Sequence, residues 1–338
     1  MEDVPEVDYT ATSQRPQWAQ LPCAVQEAVA KAAGAPVLRA ERSVGSGFTG
    51  GFAAILHLTD GRRAFAKAGS SGNAHVIKAY RREAQVLAAL PRAVPAPRLL
   101  GTASLAGDAD SEAWQVVVVE AVDGRLPLPW TEPDVAAVHE ACLAAAEALD
   151  PAPVALTPLL GSLVTELADD PAIRSAFADL EARRLPLTGG QPAWLPDRYA
   201  ELDALLAVAP AALAGTCATH GDLRADNVLV TGDGAVVVDW NWLSLGPAWA
   251  DFLSILPPAR AEGVDADAWL RRSPLTQDVD PEHVDTWLAV IAAYMLGAAE
   301  QPLFPGALPA LRAHRRRYAR TFLDWLGARR GWAAESSV

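Results

Sequence analysis

Between residues 219 and 242 the chain reads THGDLRADNVLVTGDGAVVVDWNW, and three of its side chains have the types and spacing for phosphoryl chemistry. Phosphoryl transfer needs an acceptor oxygen nearly in line with the leaving oxygen, and positive charge to offset the phosphate. Asp222 can orient an incoming hydroxyl and accept its proton. Asn227 offers an amide oxygen to Mg2+, and Asp239 an anionic ligand able to reach metal-bound phosphates. The stretches VLV and AVVVDW read as a hairpin turning at residues 231–234, which brings these distant positions to one cleft edge. Taken singly, His220, Asp222 and Asp226 read equally well as turn caps, and Asn227 and Asp239 as structural hydrogen-bonding groups. The ordered combination points to chemistry, with His220 stabilising the loop.

The run HGDLRADNVLV followed by VVVDW resembles the aminoglycoside phosphotransferase family within the wider protein-kinase-like group. That resemblance implies a catalytic Asp222 and Mg2+ ligands at Asn227 and Asp239. The implied reaction is phosphate transfer from ATP, or from another nucleoside triphosphate, to a small-molecule hydroxyl. An aminoglycoside or another cationic metabolite is a candidate acceptor. The chain departs from the family at Arg224-Ala225-Asp226, where another residue, often histidine, commonly precedes a proline–glycine pair. Arg224 can stabilise the transferring phosphate as a second catalytic residue, and a salt bridge explains it as well. Downstream, Gly246 is followed directly by Pro247, and Asp251 precedes Phe252 where the family often has Asp-Leu; hydrogen-bonding support of the catalytic loop is the reading for Asp251.

The N-terminal part must then supply a nucleotide site. In SVGSGFTGGFAAIL, Gly45, Gly47, Gly50 and Gly51 can let the backbone pass close over phosphates, although an ordinary hairpin gives the same composition. No GxxxxGK[ST] run is present, so a P-loop is not the expectation. Lys67, in FAKAG after a strand-like run, can contact the α- and β-phosphates, with Glu83 of RREAQVL fixing its ammonium. Lys78 lies in the same helical run and reads as solvent-facing. By resemblance, backbone groups near Glu120 and Val122 would meet the adenine edge at a hinge.

Several elements position these residues. CAVQEAVAKAAGAPV predicts a short helix ending near Gly34 and Pro36. Strands are expected near 51–58 and 63–67, with Asp60-Gly61 in the turn. IKAYRREAQVLAAL predicts a helix over 77–90, with Ile77, Tyr80, Ala84, Leu87 and Leu90 inward. AWQVVVVEAV reads as an interior strand. Thr131 can cap a helix whose inward stripe is Val135, Val138, Cys142, Ala145 and Leu149, and further helices are expected over 155–183, 197–214, 282–299 and 308–330. Residues 1–22 read as a mobile arm or a partly packed lead-in.

The resulting fold expectation is α+β and bilobal, a protein-kinase-like arrangement with a small sheet-rich N-terminal lobe and a larger, mainly helical C-terminal lobe. Its divisions are an arm and lead-in helix at 1–37, a nucleotide-binding lobe at 38–124, a catalytic and acceptor-binding lobe at 125–330 and a tail at 331–338. The sequence has 338 residues, with 41 acidic against 28 basic and a formal charge of -13, which weighs against broad nucleic-acid binding. The short basic run HRRRYAR reads as a solvated helix face. Three cysteines without metal spacing, no secretory-type start and no long apolar run predict a cytoplasmic protein away from membranes. Trp240, Trp242, Trp249 and Trp269, and the acids at 262, 265 and 267, are open to substrate-facing or purely structural readings. A nucleotide-binding regulator without catalysis and, behind it, a protein kinase are the competing functions; oligomeric state is not addressed by the sequence.

Overall fold

The computed structural model describes residues 12–45, 50–108, 111–186, 190–303 and 307–332, and it divides into a sheet-rich N-terminal lobe and a mainly helical C-terminal lobe. In the first lobe, α1 (Cys23–Ala33) precedes β1 (Val37–Ala40), β2 (Phe52–Leu58) and β3 (Arg63–Ser70). Helix α2 (Ala74–Ala89) leads to β4 (Leu99–Leu105) and β5 (Trp114–Glu120). The strands form one antiparallel sheet in the order β1-β2-β3-β5-β4.

Each face of this sheet is covered by one helix, which is why β5 is an unbroken valine run. Side chains alternate along a strand. Val116 and Val118 accordingly pack with Val25 and Val29 of α1, and Val117 and Val119 with Val76, Tyr80 and Leu87 of α2. The same parity operates in β3. Ala64, Ala66 and Ala68 go to the α1 side, so Lys67 emerges on the α2 side. Helix α2 starts at Ala74 rather than Ile77, because the Asn73 side chain accepts from the Val76 N–H and caps it. Its buried face therefore uses Val76 in place of Ile77, while Lys78 is exposed.

The second lobe opens with α3 (Glu132–Leu149), capped by Thr131. The single helix expected over 155–183 is broken by Pro158, Gly161 and Pro171 into short pieces. These are β6 (Gly161–Ser162), one wide turn at Val164–Ala168, and helical turns α4 (Pro171–Arg174) and α5 (Ala176–Glu181). Helix α6 (Tyr199–Ala212) leads to β7 (Cys217–Thr219). The hairpin β8 (Val228–Thr231) and β9 (Gly234–Val237) turns as expected, with Thr231 opposite Gly234. Strand β10 (Ser244–Gly246) pairs antiparallel with β7 and parallel with β6.

Helices α7 (Ala250–Ala261), α8 (Ala266–Arg272), α9 (Pro281–Glu300) and α10 (Ala310–Arg330) complete the lobe. Two prolines inside α7, Pro257 and Pro258, hide it from a sequence reading. They are tolerated because Phe252, Leu253, Ile255 and Leu256 are fully buried between α3 and α10. Cys23, Cys142 and Cys217 are free thiols. Among the described residues no helix is long and apolar enough to cross a membrane.

Candidate active site

Strand β7 delivers the chain into a tight loop between the lobes. Gly221 has φ +78°, and a Cβ there would approach the Trp242 carbonyl oxygen to 2.6 Å, so both conformation and space require glycine. Its neighbour His220 is buried. One tautomer satisfies its ring: Nε2 donates to the Val238 carbonyl at 3.0 Å, and Nδ1 accepts from the Asp222 N–H at 3.3 Å. Asp251, at the start of α7, accepts from the His220 N–H at 2.7 Å and the Gly221 N–H at 3.1 Å. The loop is therefore held by the buried His220 ring and by the Asp251 carboxylate.

Asp222 projects from this loop. Burial pushes its carboxyl up to about 6, with the Arg224 guanidinium pulling the other way. Arg224 forks between two carboxylates: its Nη1 lies 3.1 Å from Asp222 Oδ1 and its Nε 3.1 Å from Asp226 Oδ1. Burial opposes the guanidinium charge, and the two acids more than offset it. Of the two sequence readings, the salt bridge is the one present in this state. Asn227 turns its amide nitrogen to Asp222, donating to the backbone oxygen at 2.8 Å and to Oδ2 at 3.3 Å.

Lys67 reaches the same place from the other lobe. Its ammonium donates to Glu83 Oε1 at 2.8 Å and Oε2 at 2.9 Å, and to Asp239 Oδ1 at 2.8 Å. Burial acts against the Lys67 charge, but Asp239 and Glu83 hold the ammonium above its usual range. Asp239 is half-buried, and although its desolvation opposes charge, Lys67 pulls its carboxyl below the ordinary value. Asp239 has φ +67°, a left-handed conformation that aspartate tolerates better than most residues. Asn241 supports it, donating from Nδ2 to Oδ1 at 2.8 Å.

These two assemblies border one cavity of about 340 Å³, which Lys67, Asp222, Arg224, Asn227 and Asp239 all line. Glu83 stands behind Lys67. Among the described residues, the other positions expected to meet a nucleotide do not line the cavity. Glu120 ends β5 exposed, its N–H donating to the Arg98 carbonyl, and neither it nor Val122 lines the cavity. Gly45 has its carbonyl taken by Ser13, and Gly47 falls outside the described residues. Gly51 is explained by packing, since a Cβ there would come within 2.6 Å of the Tyr80 hydroxyl and 2.8 Å of Val76 Cγ1.

Sequence reasoning missed two contributors. Residues 12–17 are packed, in keeping with the partly packed lead-in, one of the two readings of this stretch. Ser13 N donates to the Gly45 carbonyl at 3.0 Å, and Ser43 N donates to the Gln17 side chain at 3.1 Å. Arg15 donates to the Gly51 carbonyl at 2.8 Å and lines the cavity. Nothing in a lone arginine of a polar stretch signals this. The second contributor is a wall from α9 and α10, where Trp287, Ile291 and Tyr294 face His314, Arg315 and Tyr318. Their helical spacing was legible, but it reads as ordinary core.

Of the four tryptophans singled out earlier, Trp240, Trp249 and Trp269 are buried, and Trp242 lines the cavity with 46% exposure. The acids at 262, 265 and 267 serve the fold. Glu262 accepts from the Trp130 N–H, Asp265 caps α8, and Asp267 accepts from Trp325. The basic run of α10 is not simply a solvated face either, since Arg316 pairs with Glu300 and Arg315 borders the cavity.

The oxygen chemistry at Asn227 and Asp239 fits a hard divalent cation. With Asn227 Nδ2 turned to Asp222 and Asp239 Oδ1 taken by Lys67 and Asn241, Asn227 Oδ1 and Asp239 Oδ2 have no side-chain or backbone donor among the described residues. No cluster of three or more His, Cys, Asp or Glu side chains forms a metal cage among them. Two protein oxygens match Mg2+, which typically keeps several waters and shares substrate phosphates.

Comparison with known proteins gives the arrangement a context. Residues 45–279 match a family model described as a phosphotransferase enzyme family. The crystal structure of spectinomycin phosphotransferase APH(9)-Ia with ADP and spectinomycin is similar at a TM-score of 0.60 and 12% identity, covering 91% of this chain and 98% of that one. A thermostable mutant of aminoglycoside phosphotransferase APH(4)-Ia gives 0.57 at 14% identity over 91% and 99% of the two chains. A candidate fructosamine-3-kinase from Thermobifida fusca gives 0.51 at 22% identity over 89% and 98%. At such identities the likeness is one of fold. A search among curated proteins finds no match.

Proposed function

We propose that this chain, which belongs to the phosphotransferase enzyme family of the protein-kinase-like group, transfers the γ-phosphate of ATP to a hydroxyl of a small molecule bound between its lobes. The observation that carries the reading is the meeting of Lys67 and Asp239, 172 positions apart, at a cavity that Asp222 and Asn227 also line. A purely structural role would not require four polar groups to converge on open space.

In the proposed reaction Asp222 accepts the proton of the acceptor hydroxyl as its oxygen attacks the γ-phosphorus, and the bond from that phosphorus to the β-phosphate oxygen breaks to release ADP. Arg224 positions Asp222 and keeps its carboxylate ionised. Phosphate oxygens of the nucleotide would replace Asp239 on the Lys67 ammonium, with Glu83 holding the lysine in place. Asn227 and Asp239 would hold Mg2+, which supplies positive charge against the triphosphate when bound. Glu120 and Val122 keep their proposed place at the adenine edge through backbone groups, and Gly45 and Gly47 theirs beside the phosphates.

The test combines purified protein with a matrix of nucleotides and divalent metals and a broad library of hydroxylated compounds, read by mass spectrometry. A product heavier by one phosphate, formed with the matching nucleoside diphosphate, is expected. Tight ATP binding with no transfer to any acceptor would favour a nucleotide-binding regulator instead.

A further inference from the structure

The acceptor end of the cavity has a chemistry of its own. Helix α9 presents Trp287, Ile291, Tyr294 and Met295, spaced so that one helical face lines the space. Helix α10 answers with Leu311, Tyr318 and Phe322, and Leu163 and Leu167 close a further side. This is a mostly apolar, aromatic-rich wall, suited to a hydrophobic body rather than a heavily hydrated one.

Most carboxylates along the same cavity are already engaged by a cation. Asp239 is paired with Lys67, and Asp222 and Asp226 with Arg224. Glu166, whose Oε2 accepts from Ser244 Oγ at 2.9 Å, is the one lining carboxylate without a salt bridge among the described residues. A polycationic aminosugar would need several uncommitted carboxylates to replace the water around its ammonium groups. One does not suffice.

Two polar groups of the wall are donors with capacity to spare. Arg315 uses Nη1 on the Ala298 carbonyl at 2.7 Å and has no carboxylate partner among the described residues. The Trp287 indole N–H is buried without a hydrogen-bond acceptor among the described residues. A guanidinium without a counter-ion beside an aromatic wall selects a planar anion and an apolar body.

Resting on the phosphotransfer reading above, we infer that the acceptor is an amphipathic alcohol with an aromatic or bulky aliphatic body and a carboxylate, or similar anionic group, taken by Arg315. The wall excludes polycations by leaving them unpaired, and α9 and α10 set the specificity.

The inference is tested by binding, independently of turnover. Tropic acid carries a carboxylate on the phenyl-bearing carbon beside its hydroxymethyl group; its analogues with methyl or ammonium at that carbon complete a matched series. Quenching of tryptophan fluorescence, to which Trp242 and Trp287 in the cavity would contribute, is followed with ADP and Mg2+ present, and hygromycin B serves as a polycationic competitor. The carboxylate should bind tightest and the ammonium compound weakest of the series, with about tenfold between them, the size of one charge-assisted hydrogen bond. Arg315→Glu should invert that order. Ammonium analogue or hygromycin B binding as tightly as tropic acid would overturn the inference, as would failure of all three aryl alcohols to saturate. If the series binds in the expected order but no phosphate moves, the phosphotransfer reading fails and the acceptor chemistry stands.

Discussion

Where β3 and α2 meet the Asp239 segment, Lys67, Glu83 and Asp239 are locked together by charged hydrogen bonds of 2.8 to 2.9 Å. Along α9 and α10, Trp287, Ile291, Tyr294 and Tyr318 offer apolar surface from two long helices. The first region is a preorganised electrostatic device whose members each have one geometric duty. The second is a packing surface in which many side chains share the work. The contrast teaches where substitutions should act: changes in the polar region should remove the reaction or the fold, and changes in the wall should redirect it.

Asp222→Asn breaks the polar region most sharply. It removes the proposed proton acceptor and keeps the volume, so turnover should fall by about 10²–10⁴-fold, the usual span for general-base catalysis; an ADP titration should find nucleotide binding largely retained. Lys67→Ala comes next. Removing one partner of a buried ion pair leaves Glu83 unanswered and should cost about 3 kcal/mol or more of stability, read from the urea midpoint, together with a raised nucleotide KM. Unchanged midpoint and KM would reject its assignment.

The wall should respond more gently. Tyr294 is 39% exposed at the cavity, so Tyr294→Ala should fold normally and raise the acceptor KM by about tenfold, the worth of one partly buried aromatic contact. If the nucleotide KM rose as much, the two regions would not be separable. The smallest effect concerns pH. Burial holds the Asp222 carboxyl up at about 6, against the pull of Arg224. In the proposed reaction the ionised form is the proton acceptor, so kcat/KM should fall as pH drops through about 6 and level off above it. Arg224→Gln removes the pull that favours ionisation, and the acid limb should move to higher pH; a shift to lower pH would contradict the positioning role.

Legibility in the sequence follows the same division. The polar region was readable because it is local. Residues 220–239 carry the loop and hairpin in one run, and strand parity alone sends Lys67 to the face of α2. The exceptions there are long-range: Arg15 arrives through backbone contacts to the glycine-rich segment, and Gly51 serves the packing of Tyr80. In the helical lobe, tertiary burial overrides local signals. Helix α7 persists through Pro257 and Pro258, although a proline inside a helix costs about 3 kcal/mol, because its other side chains fill the core. Strand β4 was not anticipated because LLGTASL is half-buried and weakly apolar. The wall of α9 and α10 carries no motif; its residues become a site only when two helices and the wide turn at Val164–Ala168 face the same space.

In the proposed reaction this cleft moves phosphate from ATP to a small hydroxyl. Its most direct test is the stoichiometry of γ-labelled ATP consumption by the wild-type protein with Mg2+ and a bound acceptor. One labelled phosphomonoester should appear for each ADP formed, and both should vanish in Asp222→Asn. ADP release without labelled acceptor, or equal transfer by the Asp222→Asn protein, would contradict it.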